Sequence, residues 1–562
     1  MKITGAKIIM ECLMEQGVNT VFGYPGGTIL NVYDAMYDYQ DRLRHILTAH
    51  EQGASHAADG YARATGRVGV CFATSGPGAT NLVTGIATAC SDSSPVVFLT
   101  CNVTENVLGK DAFQEVDITG IAMPITKATY MVRSASEIAE TIREAFAIAA
   151  GGRPGPVVID ILKNATAEYA DYTPLAKERH GSSGRLAQIA ARMKTEPITD
   201  EIDTLVRMLG EAKRPVLLAG GGVARAGGAG ALRAVAEKLG VPVSTTLMGM
   251  GAIPADHPQF TGMVGMHGSK ASNFAISRCD LLIGVGTRFS DRVAGAPSTF
   301  AAYAKKVHID IDRAEIDKNI LTDHHIVGDA KTILERLYEA LGTYDFSDWM
   351  AEVTAKRSDR PDGALYGLHP RDILQAVQRI TDNKAVIVTD VGQHQMWSSQ
   401  YYAYQYPGQL ITSGGFGTMG FGYGAAMGVK LGLGDALVVH TTGDGCFRMN
   451  CNEMATAAHY GIPIITLIFN NGTLGMVRQW QTLMYHGRYS QTTLDRGPDF
   501  VKLAQAYDLE GCRVASIEEF ETAFRHALAC GHGAVIDCAL GIDEKVRPMV
   551  GGGRPLTEYL LD

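Results

Sequence analysis

Residues 436–471 read ALVVHTTGDGCFRMNCNEMATAAHYGIPIITLIFNN, and this stretch decides the fold. An apolar, β-branched run ends in Gly443-Asp444-Gly445, a helical pattern follows, and a second apolar run ends in Asn470-Asn471. Near-continuous Val, Ile and Leu mark parallel strands buried on both faces. In an open parallel sheet, ligands bind outside the carboxyl ends of the strands. Asp444 and Asn471 therefore converge at one edge although 471 − 444 = 27 positions separate them. A carboxylate and an amide oxygen, beside glycines that let backbone approach, suit a hard divalent cation holding a diphosphate. A lone GDG reads as a turn and a lone NN as a helix cap; the two together, with a strand between them, point to a site.

The same alternation runs outward along the chain. VGVCFATSG (68–76), PVVFLTC (95–101) and GPVVIDIL (155–162) read as strands of the first third. RPVLLAGGG (214–222), DLLIGVG (280–286) and KVHIDID (306–312) do so in the middle, and KAVIVTD (384–390) and GAVIDCAL (533–540) join the last third. Helical patterns such as 134–150 and 203–212 lie between strands. The fold class is α/β, with three domains, each an open, mostly parallel sheet flanked by helices. Polar stretches near 166–188 and 343–363 carry Pro, Gly, Ser and charges and read as linkers. They divide the chain into domains at 1–170, 190–342 and 365–562.

Composition narrows the function. The chain has 562 residues, with 50 Lys plus Arg against 59 Asp plus Glu, a net charge of −9 that argues against gripping nucleic acid phosphates. Hydrophobic residues at 46% and charged residues at 19% fit a globular enzyme and not a disordered chain. The ten cysteines include no C-x-x-C pair, so neither a disulfide framework nor a zinc knuckle is indicated. Residues 1–17 read as an amphipathic helix with acids in its apolar stretch and not as a secretory signal. No apolar run reaches membrane-spanning length, and the reading is a cytoplasmic protein.

Other residues stand at strand ends. Glu51 follows LRHILTA and opens a helix, where an acid ordinarily complements the helix dipole. Tyr24-Pro25-Gly26-Gly27 and Ser75-Gly76-Pro77-Gly78 are turns after apolar runs. In the middle third, Gly220-Gly221-Gly222 follows a strand and Asp310 ends another, which suits a nicotinamide, another dinucleotide or an empty site equally. By residue type alone, Met419 reads as core, Arg292 as a surface ion pair and Trp480 as packing.

Longer motifs add a resemblance. FGYPGGTILNVYDAM (22–36), AHEQGASHAADGYARATG (49–66), TSGPGATNLVTGIA (74–87), GKDAFQE (109–115), GTRFSDRVAG (286–295), TSGGFGTMGFG (412–422) and NNGTLGMVRQWQ (470–481) span all three domains. With GDG and NN they are similar, almost end to end, to the acetolactate synthase (acetohydroxyacid synthase) catalytic-subunit family of thiamine diphosphate enzymes. The resemblance implies a thiamine diphosphate-binding fold in the first and third domains and a Rossmann-like FAD domain between them. It implies decarboxylation of pyruvate and transfer of a hydroxyethyl unit to pyruvate or 2-ketobutyrate, in branched-chain amino-acid biosynthesis. A pyruvate oxidase-like flavoenzyme, or a 2-keto acid carboligase or decarboxylase of altered range, is the alternative on the same fold.

Site roles follow from the same resemblance. Glu51 would bond the aminopyrimidine ring, and Gly27 would sit beside the reacting centre. Tyr24, Pro25, Gly26, Ser75, Gly392, Gln393, His394, Gly417, Gly443 and Gly445 would contact thiamine diphosphate, with Met419 and Met476 as apolar contacts. Mg2+ would be held by Asp444, Asn471 and the carbonyl of Thr473. FAD would lie on Arg153, Gly220, Gly221, Gly222, Thr246, Leu247, His267, Gly286, Arg288, Asp291 and Asp310. Arg292 would hold the acceptor carboxylate through its planar fork, Trp480 would wall the pocket, and Phe113, Gln114 and Lys163 would complete it. The ring-binding and diphosphate-binding halves fall in different domains, so the resemblance implies a homodimer or homotetramer with active sites between subunits, and allows a small regulatory subunit. The chain departs from the family in CNVTEN (101–106), where Asn106 replaces a usual Arg, in Lys127-Ala128-Thr129, in Ser290, in Leu162 before Lys163, and in Gly472. These changes bear on acceptor choice.

Overall fold

The computed structural model describes residues 1–175, 199–357 and 367–561. All ten apolar runs picked out above are strands, and they fall into three six-stranded sheets whose neighbours are all parallel. The first sheet runs, edge to edge, Arg44–Leu47, Thr20–Gly23, Gly69–Ala73, Val96–Asn102, Val157–Leu162, Ala128–Val132. The third runs Leu410–Thr412, Val386–Thr389, Val438–Gly443, Ile465–Asn470, Ala534–Ala539, Glu510–Val514. Numbered within each sheet, both orders are 2-1-3-4-6-5, so the chain carries one topology twice.

The middle sheet runs Phe260–Met263, Val243–Thr245, Pro215–Ala219, Leu281–Val285, Lys305–Asp310, His324–Val327. Its order is 3-2-1-4-5-6, that of doubly wound dinucleotide-binding sheets. In each sheet the direction of strand progression reverses beside the first strand, leaving a crevice at the carboxyl ends of two adjacent strands. Those crevices open at Tyr24–Gly27 and Thr74–Gly78 in the first sheet, at Gly220–Gly222 and Gly286–Arg288 in the middle, and at Asp390–His394 and Gly443–Gly445 in the third.

Three readings are corrected. The opening segment is not helical throughout: Lys2–Thr4 is a strand pairing antiparallel with Tyr169–Asp171, and the helix spans Gly5–Glu15. That pairing also places a strand in the stretch read as the first linker, of which 176–188 lies outside the described residues. The second linker holds a helix, Ser347–Thr354, whose Trp349 is buried and donates its indole N–H to the Pro215 carbonyl at 3.0 Å. Its polar residues face out and two apolar ones anchor it on the middle sheet, so composition alone hid it. Part of this stretch, 358–363, lies outside the described residues.

The first and third sheets meet through two helices, Glu51–Thr65 and Phe421–Leu433. Their backbones approach closely because glycine lines the crossing. A Cβ at Gly428 would lie 1.9 Å from the Ala57 carbonyl oxygen, and one at Gly60 would lie 2.2 Å from that of Ala425. No described helix is long and apolar enough to cross a membrane.

Candidate active site

The GDG segment is a strand-to-helix junction. Val438–Gly443 ends, Gly443 caps, and Asp444 opens the helix Asp444–Asn450. Asp444 is buried, and burial pushes its carboxyl up to about 6, against backbone N–H groups of Gly445 and Gly472 that favour the charged form. Asn471 follows the adjacent strand and is buried beside it. Its Nδ2 donates to Gln393 Oε1 at 3.0 Å, which assigns the amide oxygen to the opposite side. Gln393 is itself held, donating to Gln479 Oε1 at 2.9 Å and to the Glu544 carbonyl at 2.7 Å. The Thr473 hydroxyl is occupied by the Thr492 carbonyl at 2.7 Å.

Gly443, Asp444, Asn471, Thr473 and Gln393 line a small cavity of about 80 Å³ together with Gly392, His394, Met419, Gly445 and Met476. The His394 Nε2 atom is buried without a partner, and burial pushes the imidazole down to about 4. Beneath the cavity lies a network that sequence reading missed. Buried Asp390 accepts from Thr442 Oγ1 at 2.6 Å and from the Gly422 N–H at 2.8 Å, and pairs with His440 Nε2 at 3.1 Å. Burial opposes its charge, but these bonds prevail and hold the carboxyl down at about 2. Asp390 ends the strand beside Val438–Gly443, so the network ties the two strands whose separation forms the crevice.

A second cavity, of about 880 Å³, adjoins the first; Val391, Gly392 and Met476 line both. It gathers Arg153, Gly221, Gly222, Thr246, Leu247, His267, Gly286, Arg288, Asp291 and Asp310 with Gly417, Arg292 and Trp480. Gly220 stands behind this wall, where a Cβ would lie 2.1 Å from the Gly286 carbonyl oxygen; a Cβ at Gly222 would lie 2.6 Å from Gly286 Cα. Only glycines permit that approach at the middle crevice. His267 Nε2 is buried without a partner, and burial pushes the imidazole down to about 4. Arg153 pairs with Glu315 at 2.6 Å and Asp312 at 3.2 Å, and Arg288 donates to the Ser91 carbonyl at 2.7 Å. The Arg292 side chain is 68% exposed and touches only the Asp291 carboxylate, at 3.5 Å, among the ion pairs of described residues.

Arg153 apart, the candidates of the first domain form a separate group, and none of them lines either cavity. Glu51 opens its helix with its carboxylate buried, accepting from Asn81 Nδ2 at 2.9 Å. Gly78 lies against it: a Cβ there would be 3.2 Å from Glu51 Oε1. Thr28 Oγ1 ties the neighbouring turns together, donating to the Cys101 carbonyl at 2.6 Å and accepting from the Ser75 N–H at 3.1 Å. Gly76 has φ +59°, and a Cβ there would press on the Gln114 backbone at 2.7 Å. Gly26 packs on Thr74, whereas Gly27 faces open space and Tyr24 is exposed, with Pro25 between them. Lys163 opens a short helix directly after the strand Val157–Leu162, and Phe113 is exposed. Glu453, not singled out by sequence, reaches across from the third unit: its carboxylate accepts from the Ala49 and His50 N–H groups, each at 3.0 Å. Nothing in its helical context marks it in the sequence.

Comparison with known proteins matches this geometry. Profiles of the thiamine pyrophosphate enzymes match in chain order: the N-terminal TPP binding domain at residues 3–121, the central domain at 202–337 and the C-terminal TPP binding domain at 390–538. A "Probable acetolactate synthase large subunit" of Methanocaldococcus jannaschii is 45% identical over 99% of this chain and 95% of its own length. The "Acetolactate synthase large subunit" of Haemophilus influenzae is 41% identical over 100% of this chain and 98% of its own. That of Corynebacterium glutamicum is 45% identical over 98% and 89%. Repeated sheet topology, three crevices at strand ends and end-to-end similarity agree: the chain belongs to the acetolactate synthase large-subunit family of thiamine pyrophosphate enzymes.

Proposed function

We propose that this chain is a thiamine diphosphate-dependent carboligase that removes CO2 from pyruvate and transfers the remaining hydroxyethyl unit to a second 2-keto acid, pyruvate or 2-ketobutyrate, in branched-chain amino-acid biosynthesis. One observation carries the reading: the cavity of oxygen donors around Asp444 and Asn471 shares Gly392 and Met476 with the cavity that holds Arg292 and Trp480. A diphosphate anchor thus adjoins a pocket with a carboxylate-binding fork and an apolar wall. Thiamine diphosphate, when bound, supplies the nucleophilic carbon and the electron sink for cleaving the bond to the carboxylate.

The chain's own residues do the rest. The Asp444 carboxylate, the Asn471 amide oxygen and the Thr473 carbonyl are hard oxygen donors that fit Mg2+, and a dication there would relieve the burial that raises Asp444. His394, which lines the same cavity, keeps an unpartnered ring nitrogen. The glycine-lined middle crevice, the unpartnered His267 nitrogen and a volume of about 880 Å³ fit FAD, being within the usual range of cofactor pockets. Arg292, unpinned by a strong partner, is free to take the carboxylate of the acceptor. Glu51 would hold and polarise the aminopyrimidine ring. Because Glu51 lies outside both cavities of its own chain, a second copy would have to bring its Glu51 to this one's diphosphate site, which favours a homodimer or a pair of dimers. The relatives are called large subunits, and a smaller regulatory chain is a natural partner.

The test is product analysis. The protein is incubated with pyruvate, thiamine diphosphate, Mg2+ and FAD, with and without 2-ketobutyrate. Acetolactate should form from pyruvate alone, and 2-aceto-2-hydroxybutyrate from the pair, with the flavin left oxidised. Stoichiometric flavin reduction by pyruvate without a ligated product would establish the oxidase reading instead.

A further inference from the structure

A group of metal-ligating side chains lies far along the third sheet from the site above. Helix Ile517–Cys530 ends with His526 and Cys530 four positions apart, hence on one face. Gly531, at φ +72°, turns the chain back, and His532 follows before the strand Ala534–Ala539. The neighbouring edge strand opens with Glu510, which pairs in register with Ala534 and donates its N–H to the Gly533 carbonyl at 3.2 Å. Strand pairing therefore brings Glu510 close to His532, 532 − 510 = 22 positions away in sequence. Ligand atoms of Glu510, Cys530 and His532 all lie within 4.8 Å of one another, and His526 Nε2 lies 3.3 Å from Cys530 Sγ.

We propose that Cys530, His532, His526 and Glu510 form a surface site for a zinc-class divalent transition metal. A thiolate, two imidazoles and a carboxylate make a mixed soft and borderline set that selects zinc(II) or cobalt(II) over Mg2+, whose preference is for oxygen alone. Metal–nitrogen bonds of about 2.0 Å and metal–sulfur bonds of about 2.3 Å at tetrahedral angles put donors about 3.5 Å apart. The Cys530–His526 pair already stands near that spacing, and the ligand atoms of Glu510 and His532 lie within 4.8 Å of the same thiol. The last turn of a helix, where the carbonyl dipoles point outward, also favours a cation. Bound there, the ion ties the end of the helix to the exposed edge strand Glu510–Val514 and occupies a thiol otherwise open to oxidation. No C-x-x-C pair announces the site, because its fourth donor arrives through sheet pairing.

The experiment uses the holoenzyme with its diphosphate site saturated in Mg2+. Cobalt(II) is titrated in and the thiolate-to-metal charge-transfer absorption is followed. One equivalent per chain should saturate the band, and zinc(II) should bleach it by displacement. The band should vanish in Cys530→Ser and need at least tenfold more cobalt in His532→Ala, which lies beyond the helix and leaves the thiol in place. Activity on pyruvate should be the same in both variants and the parent. Absence of a saturable band in the parent, or a band undiminished in His532→Ala and Cys530→Ser, overturns the proposal.

Discussion

Glu51 is a buried carboxylate with one side-chain donor, Asn81, and a glycine where any Cβ would crowd it. Such a position favours an acid that must present one oxygen to a ligand while the other stays fixed. Glu51→Gln keeps the Asn81 contact within reach of the amide oxygen but removes the charge. Acetolactate formation should fall by about 10²–10⁴-fold, the usual contribution of a positioned acid or base, with thermal unfolding unchanged; a rate within threefold of the parent would remove Glu51 from the reaction. In the proposed carboligase Trp480, which lines the larger cavity, would act through shape. Replacing it by Leu removes the flat wall beside Met476 and should lower the preference for 2-ketobutyrate over pyruvate by about tenfold, since one methylene in an apolar pocket is worth about 1–3 kcal/mol. Competition between the two acceptors, read as the product ratio, measures this.

Helices Glu51–Thr65 and Phe421–Leu433 show what an element contributes. Helix propensity alone would favour alanine over glycine at Gly428 by about 1 kcal/mol. The tertiary contact reverses the sign, because a methyl there would lie 1.9 Å from the Ala57 carbonyl oxygen. Gly428→Ala should lower stability by about 1–3 kcal/mol, the ordinary cost of overpacking, read as a drop in the urea midpoint with an unchanged slope. Because the helix that Gly428 presses on begins at Glu51, the variant should also lower activity more than a surface substitution of equal stability effect. The Asp390–His440–Thr442 network is the matching device in the third sheet, fixing the strands on either side of the crevice.

Across the whole molecule, acid sensitivity follows from neutral buried histidines. Burial pushes the half-buried His45 and the buried His56, neither of which lines the oxygen-donor cavity, down to about 4. In the unfolded chain they titrate near about 6.5. Between these values the unfolded state binds more protons than the folded one, so stability rises with pH there. Their contribution is full above about pH 6.5 and is lost as pH falls towards 4. Urea midpoints measured from pH 7.5 down to 4 should therefore decline through that window, and a His56→Gln variant should decline less steeply. A flat profile would contradict neutral burial of these rings.

The central strands were legible from sequence because burial on both faces leaves unbroken apolar runs, as in PVVFLTC and PIITLIFNN. Edge strands such as Ala128–Val132 and Glu510–Val514 were not, because their half-exposed faces admit Lys, Arg, Glu and Tyr neighbours and break the run. The GDG and NN pair was legible because strand ends next to each other in a parallel sheet must present their following residues to the same crevice. Sequence by itself thus determined the α/β class, the candidate residues at strand ends and the expected cofactor chemistry. Only the tertiary structure decided that Asp390 and Glu453 act as hidden ties, that the two cavities share a wall, and that Glu51 stands apart from both. Those outcomes depend on distances between residues dozens to hundreds of positions apart, set by sheet order and helix crossing, which no local pattern of side chains encodes.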